Sequence, residues 1–253
     1  MDSNQYNFIK TIQQALGKSS SSARPDRSEL FDTRPRDLEN QLKTYINKSK
    51  QEQKALLDLF IEQAEIINMK VIPVENLSMA GLAIKELVQN TEPEWGNKKS
   101  VIAWQHPLID QLNLEKILGQ DGVEVFITRG SNRPDSRERK EIRTRLMQSY
   151  IGITSADFCV AQSATLVLRN RPNQPRAVSL VPSIHVAVIK IDQIIESLKE
   201  LYFRLKWDPE EKKQGLTNCM TFISGPSKTG DIELVMVYGA HGPRQLPVYV
   251  ITG

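Results

Sequence analysis

Between residues 70 and 149, short apolar runs alternate with stretches of helical spacing, and this alternation restricts the available folds more than any other feature of the chain. "KVIPV" (70–74), "SVIAW" (100–104) and "VEVFIT" (123–128) read as strands, while "SMAGLAIKELVQ" (78–89), "PLIDQLNLEKIL" (107–118) and residues 135–149 read as helices. Strand and helix in repetition mark a parallel sheet with helical crossovers, an α/β domain. The character changes after Tyr150. "ADFCVAQ", "ATLVLR", "RAVSLVP" and "HVAVIK" follow one another too closely for helical crossovers, which predicts hairpins or a β-meander packed with the sheet. Residues 191–205 return to helical spacing behind Asp192, and "CMTFIS" and "PVYVIT" read as the last two strands.

Ahead of this body, residues 5–17 form an amphipathic pattern through Phe8, Ile9, Ile12, Ala15 and Leu16 that stops at Gly17. A Ser/Pro-rich connector follows over 18–35, with Leu30 and Phe31 as candidate anchors. Residues 51–69 are again helical, with Ala55, Leu56, Leu59, Phe60, Ala64, Ile66 and Ile67 expected on the core face. The expected division is therefore a helix and connector over 1–50 and an α/β domain over 51–253.

Composition removes several classes of function. The 253 residues are 40% hydrophobic, as in a globular chain with a sizeable core, and 33 basic against 30 acidic residues leave a net charge of +3. So near a balance gives no support for nucleic-acid binding. The N-terminus lacks the basic start and apolar run of a signal peptide, and no stretch reaches 18 uninterrupted apolar residues, so a cytoplasmic protein without a membrane span is expected. Cys159 and Cys219 each sit in an apolar run and read as small buried hydrophobes. Two cysteines cannot hold an iron–sulfur cluster, and His106, His185 and His241 are too far apart in sequence for a helical zinc motif, so neither metal nor cofactor is expected in this chain. The charge run at 129–145 interleaves Arg and Lys with Asp135, Glu138 and Glu141, which suits a solvated, ion-paired helix or docking to an acidic partner.

The stretch "ISGPSKTGDIE" (223–233) looks at first like a phosphate-binding loop. Aligning Lys228 and Thr229 with the end of G-x-x-x-x-G-K-[ST] puts Phe222 and Ser227 where both glycines belong, which removes a nucleotide hydrolase. Ser224, Ser227 and Thr229 still offer hydroxyls, Lys228 a charge, and Gly225 and Gly230 a backbone free to turn its N–H groups on an anion. Asp231 and Glu233 follow directly. Two readings stand: a small carboxylate or phosphate site at a helix start capped by Thr229 or Asp231, or a capped turn with Lys228 in solvent. His241 and Arg244 lie on a Gly-rich loop after a strand, where α/β proteins keep ligand contacts, although a loop-stabilising hydrogen bond would also account for His241. His185 alternates with apolar residues, as a core histidine or a catalytic one would. Arg176 reads as a surface-paired cation.

The runs "GITSADFCVAQSATLVLRN", "SLVPSIHVAVIKIDQII" and "TFISGPSKTGDIELVMVYGAHGPRQLPVYVI" occur in this order over residues 152–252. Together they resemble the LUD-domain family, whose most specific elements here are Ser-Gly-Pro-Ser-Lys-Thr, Asp-Ile-Glu and His-Gly-Pro-Arg. The helix ending in "ALG" and the segment "FIEQAEIINMKVIPV" fit the same family. The resemblance implies a three-layer α/β/α fold of the type shared by ribose-5-phosphate isomerase, glucosamine-6-phosphate deaminase and CoA transferases. It also implies a part in lactate utilisation, the oxidation of L-lactate to pyruvate, beside two iron–sulfur proteins, with this chain a non-redox component. One position departs from the family pattern. Where that pattern has an acid followed by Thr/Ser-Gly-Thr, this chain has Gln162, Ser163, Ala164 and Thr165, and an amide is neither base nor nucleophile. The alternative function is an independent enzyme of the isomerase, deaminase or CoA-transferase type acting on an anionic substrate.

Overall fold

A computed structural model describes residues 3–15, 34–94, 96, 98–131, 135–215, 217, 219–230 and 236–253. Its contacts divide the chain into two units, residues 1–41 and 42–253. In the first lies helix α1 (Ser3–Ala15), with Tyr6, Phe8, Ile9 and Ile12 exposed. The expected helix end at Gly17 and most of the expected connector fall outside the described residues.

Helix α2 (Leu38–Ile46) crosses the division, and α3 (Lys50–Ile66) follows it. Ser49 starts α3 with a capping box, its Oγ accepting from Glu52 N–H at 3.2 Å while its own N–H donates to the Glu52 carboxylate at 2.7 Å. Leu57, Phe60 and Ala64 are buried, whereas Ile66 is 71% exposed. The expected core stripe is thus rotated toward Leu57. The helix stops at Ile66 and the chain reverses through Asn68 at φ 59°, which carries Ile66 to solvent and Met69 inside.

The second unit is built on a six-stranded parallel sheet in the order β1-β12-β7-β4-β2-β3. Its strands are β1 (Lys70–Val74), β2 (Ser100–Ala103), β3 (Glu124–Ile127), β4 (Ile151–Thr154), β7 (Ile184–Lys190) and β12 (Pro247–Ile251). Successive side chains enter opposite cores. Val186, Val188, Tyr249 and Ile251 join one core with helix α4 (Leu77–Asn90), and Ala187, Ile189, Val248 and Val250 join the other with α3. This period of two under helices on both faces is the three-layer α/β/α arrangement that the family resemblance implied, on the parallel sheet expected from the alternation.

Four elements differ from expectation. The helix expected over 107–118 is two, α5 (Pro107–Asp110) and α6 (Leu114–Gly119), separated where Asn113 takes φ 51°. The break lets Leu108, Ile109, Leu112, Leu114 and Leu118 all reach one core, and asparagine tolerates the left-handed conformation. "RAVSLVP" is a 3₁₀ turn (Arg176–Ser179) rather than a strand, and "HVAVIK" becomes β7 in the middle of the parallel sheet. The predicted hairpin holds for β5 (Phe158–Val160) and β6 (Thr165–Arg169), which pair antiparallel in a second sheet ordered β8-β5-β6-β9, with β8 (Ile194–Ile195) and β9 (Met220–Ile223). The helix expected over 191–205 is α8 (Leu198–Trp207), and Ser197 rather than Asp192 caps it.

Helix α7 (Ser136–Gln148) carries the charge run and starts with a second capping box, Asp135 with Glu138. Arg145 pairs with Glu124 on β3, and Arg129 with Glu115 on α6 at 3.1 Å, so these cations tie neighbouring elements rather than turns of one helix. Short helix α9 (Pro209–Gln214) precedes β9. A last hairpin joins β10 (Lys228–Gly230) to β11 (Met236–Tyr238). Among the described residues, no helix is long and apolar enough to cross a membrane.

Candidate functional site

Two loops that the sequence separates by a hairpin meet at the end of β9. Ser227 N–H donates to the Pro243 carbonyl at 2.7 Å, and Gly239 N–H donates to the Ser227 carbonyl at 3.0 Å. A Cβ on Gly242 would stand 3.3 Å from Ser227 Cβ, so the two chains touch. Gly225 has φ +83°, and a Cβ there would be 2.9 Å from the Ile67 carbonyl, which only glycine permits without strain. The loop after β9 therefore rests on the end of α3. Beneath these loops the parallel sheet supplies β7, with Arg244 N–H donating to the Ser183 carbonyl at 2.8 Å and His185 N–H to the Gln245 carbonyl at 3.0 Å.

Between the loops and the sheet lies a pocket of about 230 Å³, lined among others by Leu180, His185, Thr221, Ser227 and His241. His185 is 1% exposed. Its Nε2 lies 2.8 Å from Thr154 Oγ1 on the neighbouring strand β4, whereas its Nδ1 has no hydrogen-bond partner among the described residues. Burial pushes the imidazole pKa down to about 3, so the ring is neutral at physiological pH. Thr221 Oγ1 is likewise buried without a partner among the described residues. Two strands, β7 and β9, thus bring two open polar atoms to the lining of the same pocket.

A chain of hydroxyls adjoins it. Thr165 Oγ1 is 2.8 Å from Ser163 Oγ, 2.7 Å from Ser224 Oγ and 3.0 Å from the Ser163 carbonyl. With the single Thr165 proton given to that carbonyl, both serine hydroxyls donate to Thr165. Ala164, between them, takes φ 45°, and this turn brings Ser163 and Thr165 to one side. Gln162 is exposed, and its N–H donates to the Glu196 carbonyl at 3.1 Å.

The remaining sequence candidates are distributed unevenly. Ser224, Gly225, Ser227, His185 and His241 line the pocket, and Thr165 reaches it through Ser224. Lys228 and Arg244 do not line it. Lys228 Nζ lies 5.8 Å from the Tyr238 ring centroid, across the β10–β11 pair, and Arg244 lies 4.0 Å from the Glu94 carboxylate. Thr229 pairs with Val237 in the hairpin, so it is a strand residue and caps no helix. Asp231 and Glu233 lie outside the described residues. Arg176 is exposed, as expected of a surface cation.

Comparison with known proteins places this architecture. The model of the LUD domain matches residues 57–251, from within α3 to the end of β12. The chain belongs to the LUD domain family. Among similar proteins, lactate utilization protein C of Halalkalibacterium halodurans is 32% identical over 160 residues, 63% of this chain and 65% of that protein. Its counterpart in Shouchella clausii is 32% identical over 153 residues, 60% of this chain and 62% of that one, so these two matches each span just under two thirds of the relative. The Anoxybacillus flavithermus counterpart is 27% identical over 201 residues, covering 79% and 82% of the two chains. A crystal structure of a DUF162 family protein from Deinococcus radiodurans superposes with a TM-score of 0.48 at 21% identity, covering 81% of this chain and 99% of that one.

Sequence reasoning missed Thr221, Leu180 and Ser179 in the LUD domain pocket. Thr221 looked like one more residue of an apolar strand, and 179–180 were assigned to a strand that is a turn. The signal for the turn is Gly152. A Cβ there would come within 1.9 Å of the Val178 carbonyl, so that glycine marks where another backbone crosses β4.

Proposed function

We propose that this chain is a component of a lactate utilisation system and supports the oxidation of L-lactate to pyruvate together with two iron–sulfur proteins that carry the electrons. The observation behind this reading is the repeated likeness to proteins named lactate utilization protein C, at 26–36% identity over segments that include 32% over 160 residues. The cysteines support the division of labour. Cys159 is buried, with its thiolate disfavoured by desolvation, and Cys219 is the single other cysteine, which supports placing a cluster with about four thiolate ligands on other chains. The part left to this chain is non-redox and cytoplasmic, and the pocket beneath Ser227 and His241 is where it holds a small molecule.

Affinity purification from source cells growing on lactate tests the reading. Two cluster-bearing proteins are expected to co-purify, with iron and the brown colour remaining on them once this chain is dissociated. Stoichiometric iron or a flavin spectrum on the dissociated chain would exclude the non-redox role. Recovery of this chain alone as an active oligomer would favour an independent isomerase-, deaminase- or transferase-type enzyme instead.

A further inference from the structure

We infer that the pocket between Thr221–Ser227 and His241–Pro243 binds an uncharged, mainly apolar small molecule through a carbonyl or hydroxyl group that bonds to His185 Nδ1 and Thr221 Oγ1. The inference rests on the reading of this pocket as the ligand site of the chain and narrows that reading to a ligand class.

Two buried polar atoms without partners in one pocket are the first support. Each is costly to leave open, and a ligand oxygen that bonds to it removes that cost. His185 suits either form of that oxygen. If the Thr154 hydroxyl donates to Nε2, the proton sits on Nδ1 and meets a carbonyl; if Nε2–H donates to Thr154, Nδ1 accepts from a hydroxyl.

The absence of fixed charge is the second. Among the described residues lining the pocket there is no Lys, Arg, Asp or Glu. The cations next in sequence, Lys228 and Arg244, lie toward Tyr238 and Glu94. A carboxylate or phosphate buried here would shed its hydration with no lysine or arginine in the lining to face it, at a cost that a neutral carbonyl avoids. This lining argues against the small anion that the hydroxyls and Lys228 suggested from sequence.

The walls are the third. Ile223, Pro226, Pro243 and Leu246 are apolar, and Leu180 and Phe222, 37% and 40% exposed, continue the apolar surface outward. A ligand with an apolar frame behind its polar end is matched along its length.

The test titrates the full chain with L-lactate, its uncharged methyl ester and cyclohexanone, following the ring ¹⁵N resonances of His185. Methyl L-lactate and cyclohexanone are expected to shift the Nδ1 signal, with L-lactate binding at least tenfold more weakly. Thr221→Val should weaken both neutral probes several-fold, and Leu180→Trp, which fills the pocket, should abolish binding while the melting curve stays cooperative. Equal or tighter binding of L-lactate, probe binding that leaves His185 unmoved, or unchanged affinity in Leu180→Trp would each overturn the inference. Should either variant fail to fold, the wild-type comparison of L-lactate with its ester still decides. Neutral-probe binding without co-purifying cluster proteins would remove the lactate role and keep this inference, and the reverse result would do the opposite.

Discussion

Gly152 has no room for a side chain, because a Cβ would stand 1.9 Å from the Val178 carbonyl and 3.0 Å from Pro182. The obstacle is backbone, so neither rotamer change nor small repacking relieves it. Gly152→Ala is expected to destabilise the protein at or above the upper end of the ~1–3 kcal/mol typical of overpacking. Gly119, at the end of α6 with nothing within 4 Å of its Cβ position, is the contrast. Gly119→Ala should be neutral or stabilising by up to about 1 kcal/mol, and denaturant midpoints for the two variants check both signs. His185 makes a pH prediction at the same scale. Its folded pKa is about 3 against an ordinary 6.5, so the unfolded chain binds the extra proton between these values. Stability from this site is complete above pH 6.5 and falls on acidification toward pH 3, by roughly 1.4 kcal/mol per pH unit where the difference is one full proton. Unfolding free energies at pH 7 and pH 5 should therefore diverge more in the wild type than in His185→Gln; parallel acid limbs would remove His185 as the cause. What sequence could reveal about these residues was unequal. His185 was visible as a histidine inside an apolar strand, but its partner Thr154 was not, because the two are adjacent only through the β4–β7 pairing.

Elements were more legible than sites where the pattern was local. β1, β2, β3, β9 and β12 stand where apolar runs predicted them, because each is bounded by turn residues within its own few positions. Local reading failed where a distant contact decided the outcome. "RAVSLVP" has the composition of a strand, yet it lies against Gly152 as a turn, and the single helix expected at 107–118 breaks at Asn113 so that both halves reach the same core. Helix starts, by contrast, are encoded in side chains that act within three residues. Ser49 and Asp135 each form reciprocal bonds with the glutamate three positions on, and Ser49→Ala and Asp135→Ala should each cost ~1 kcal/mol, with Ala at Lys54 or Lys140 as exposed helical controls near zero. Hydrogen bonds from Ser49 hold the Glu52 carboxyl below its ordinary 4.5, and those from Asp135 and Ser131 do the same for Glu138. Their contribution is complete above pH 4.5 and is lost as the pH falls below it, so the cap variants and wild type should converge in acid.

At the scale of the whole molecule, the position of the domain edge makes a prediction of its own. The apolar alternation placed it at 50/51, where the core-forming helix begins, while the contacts place it after Gln41. The difference lies in a polar link that hydrophobic periodicity cannot register. Lys48 pairs with Glu200 on α8 and also donates to the Tyr45 carbonyl at 2.7 Å, and Tyr45 packs edge-on against Phe203 with ring centroids 5.3 Å apart. The Glu200 side chain is 1% exposed, and its second oxygen accepts from Glu196 N–H at 2.9 Å. Removing one member of such a pair leaves a buried charge with no counterion, at a cost of about 3–5 kcal/mol, whereas replacing both with apolar residues is far less harmful. Lys48→Met should thus lower stability by that amount, and Lys48→Met with Glu200→Leu should recover most of it. The same reasoning separates two truncations. A chain beginning at Leu42 keeps Tyr45 and Lys48 and should melt within a few degrees of the full protein, since the three apolar cores draw on residues from Leu56 onward. A chain beginning at Gln51 loses Lys48 and the Ser49 cap together, and should melt lower by the ~10 °C or more that several kcal/mol represents for a domain of this size. Equal melting temperatures for the two truncations would show that the Lys48–Glu200 pair adds nothing and that the edge belongs where the apolar pattern put it.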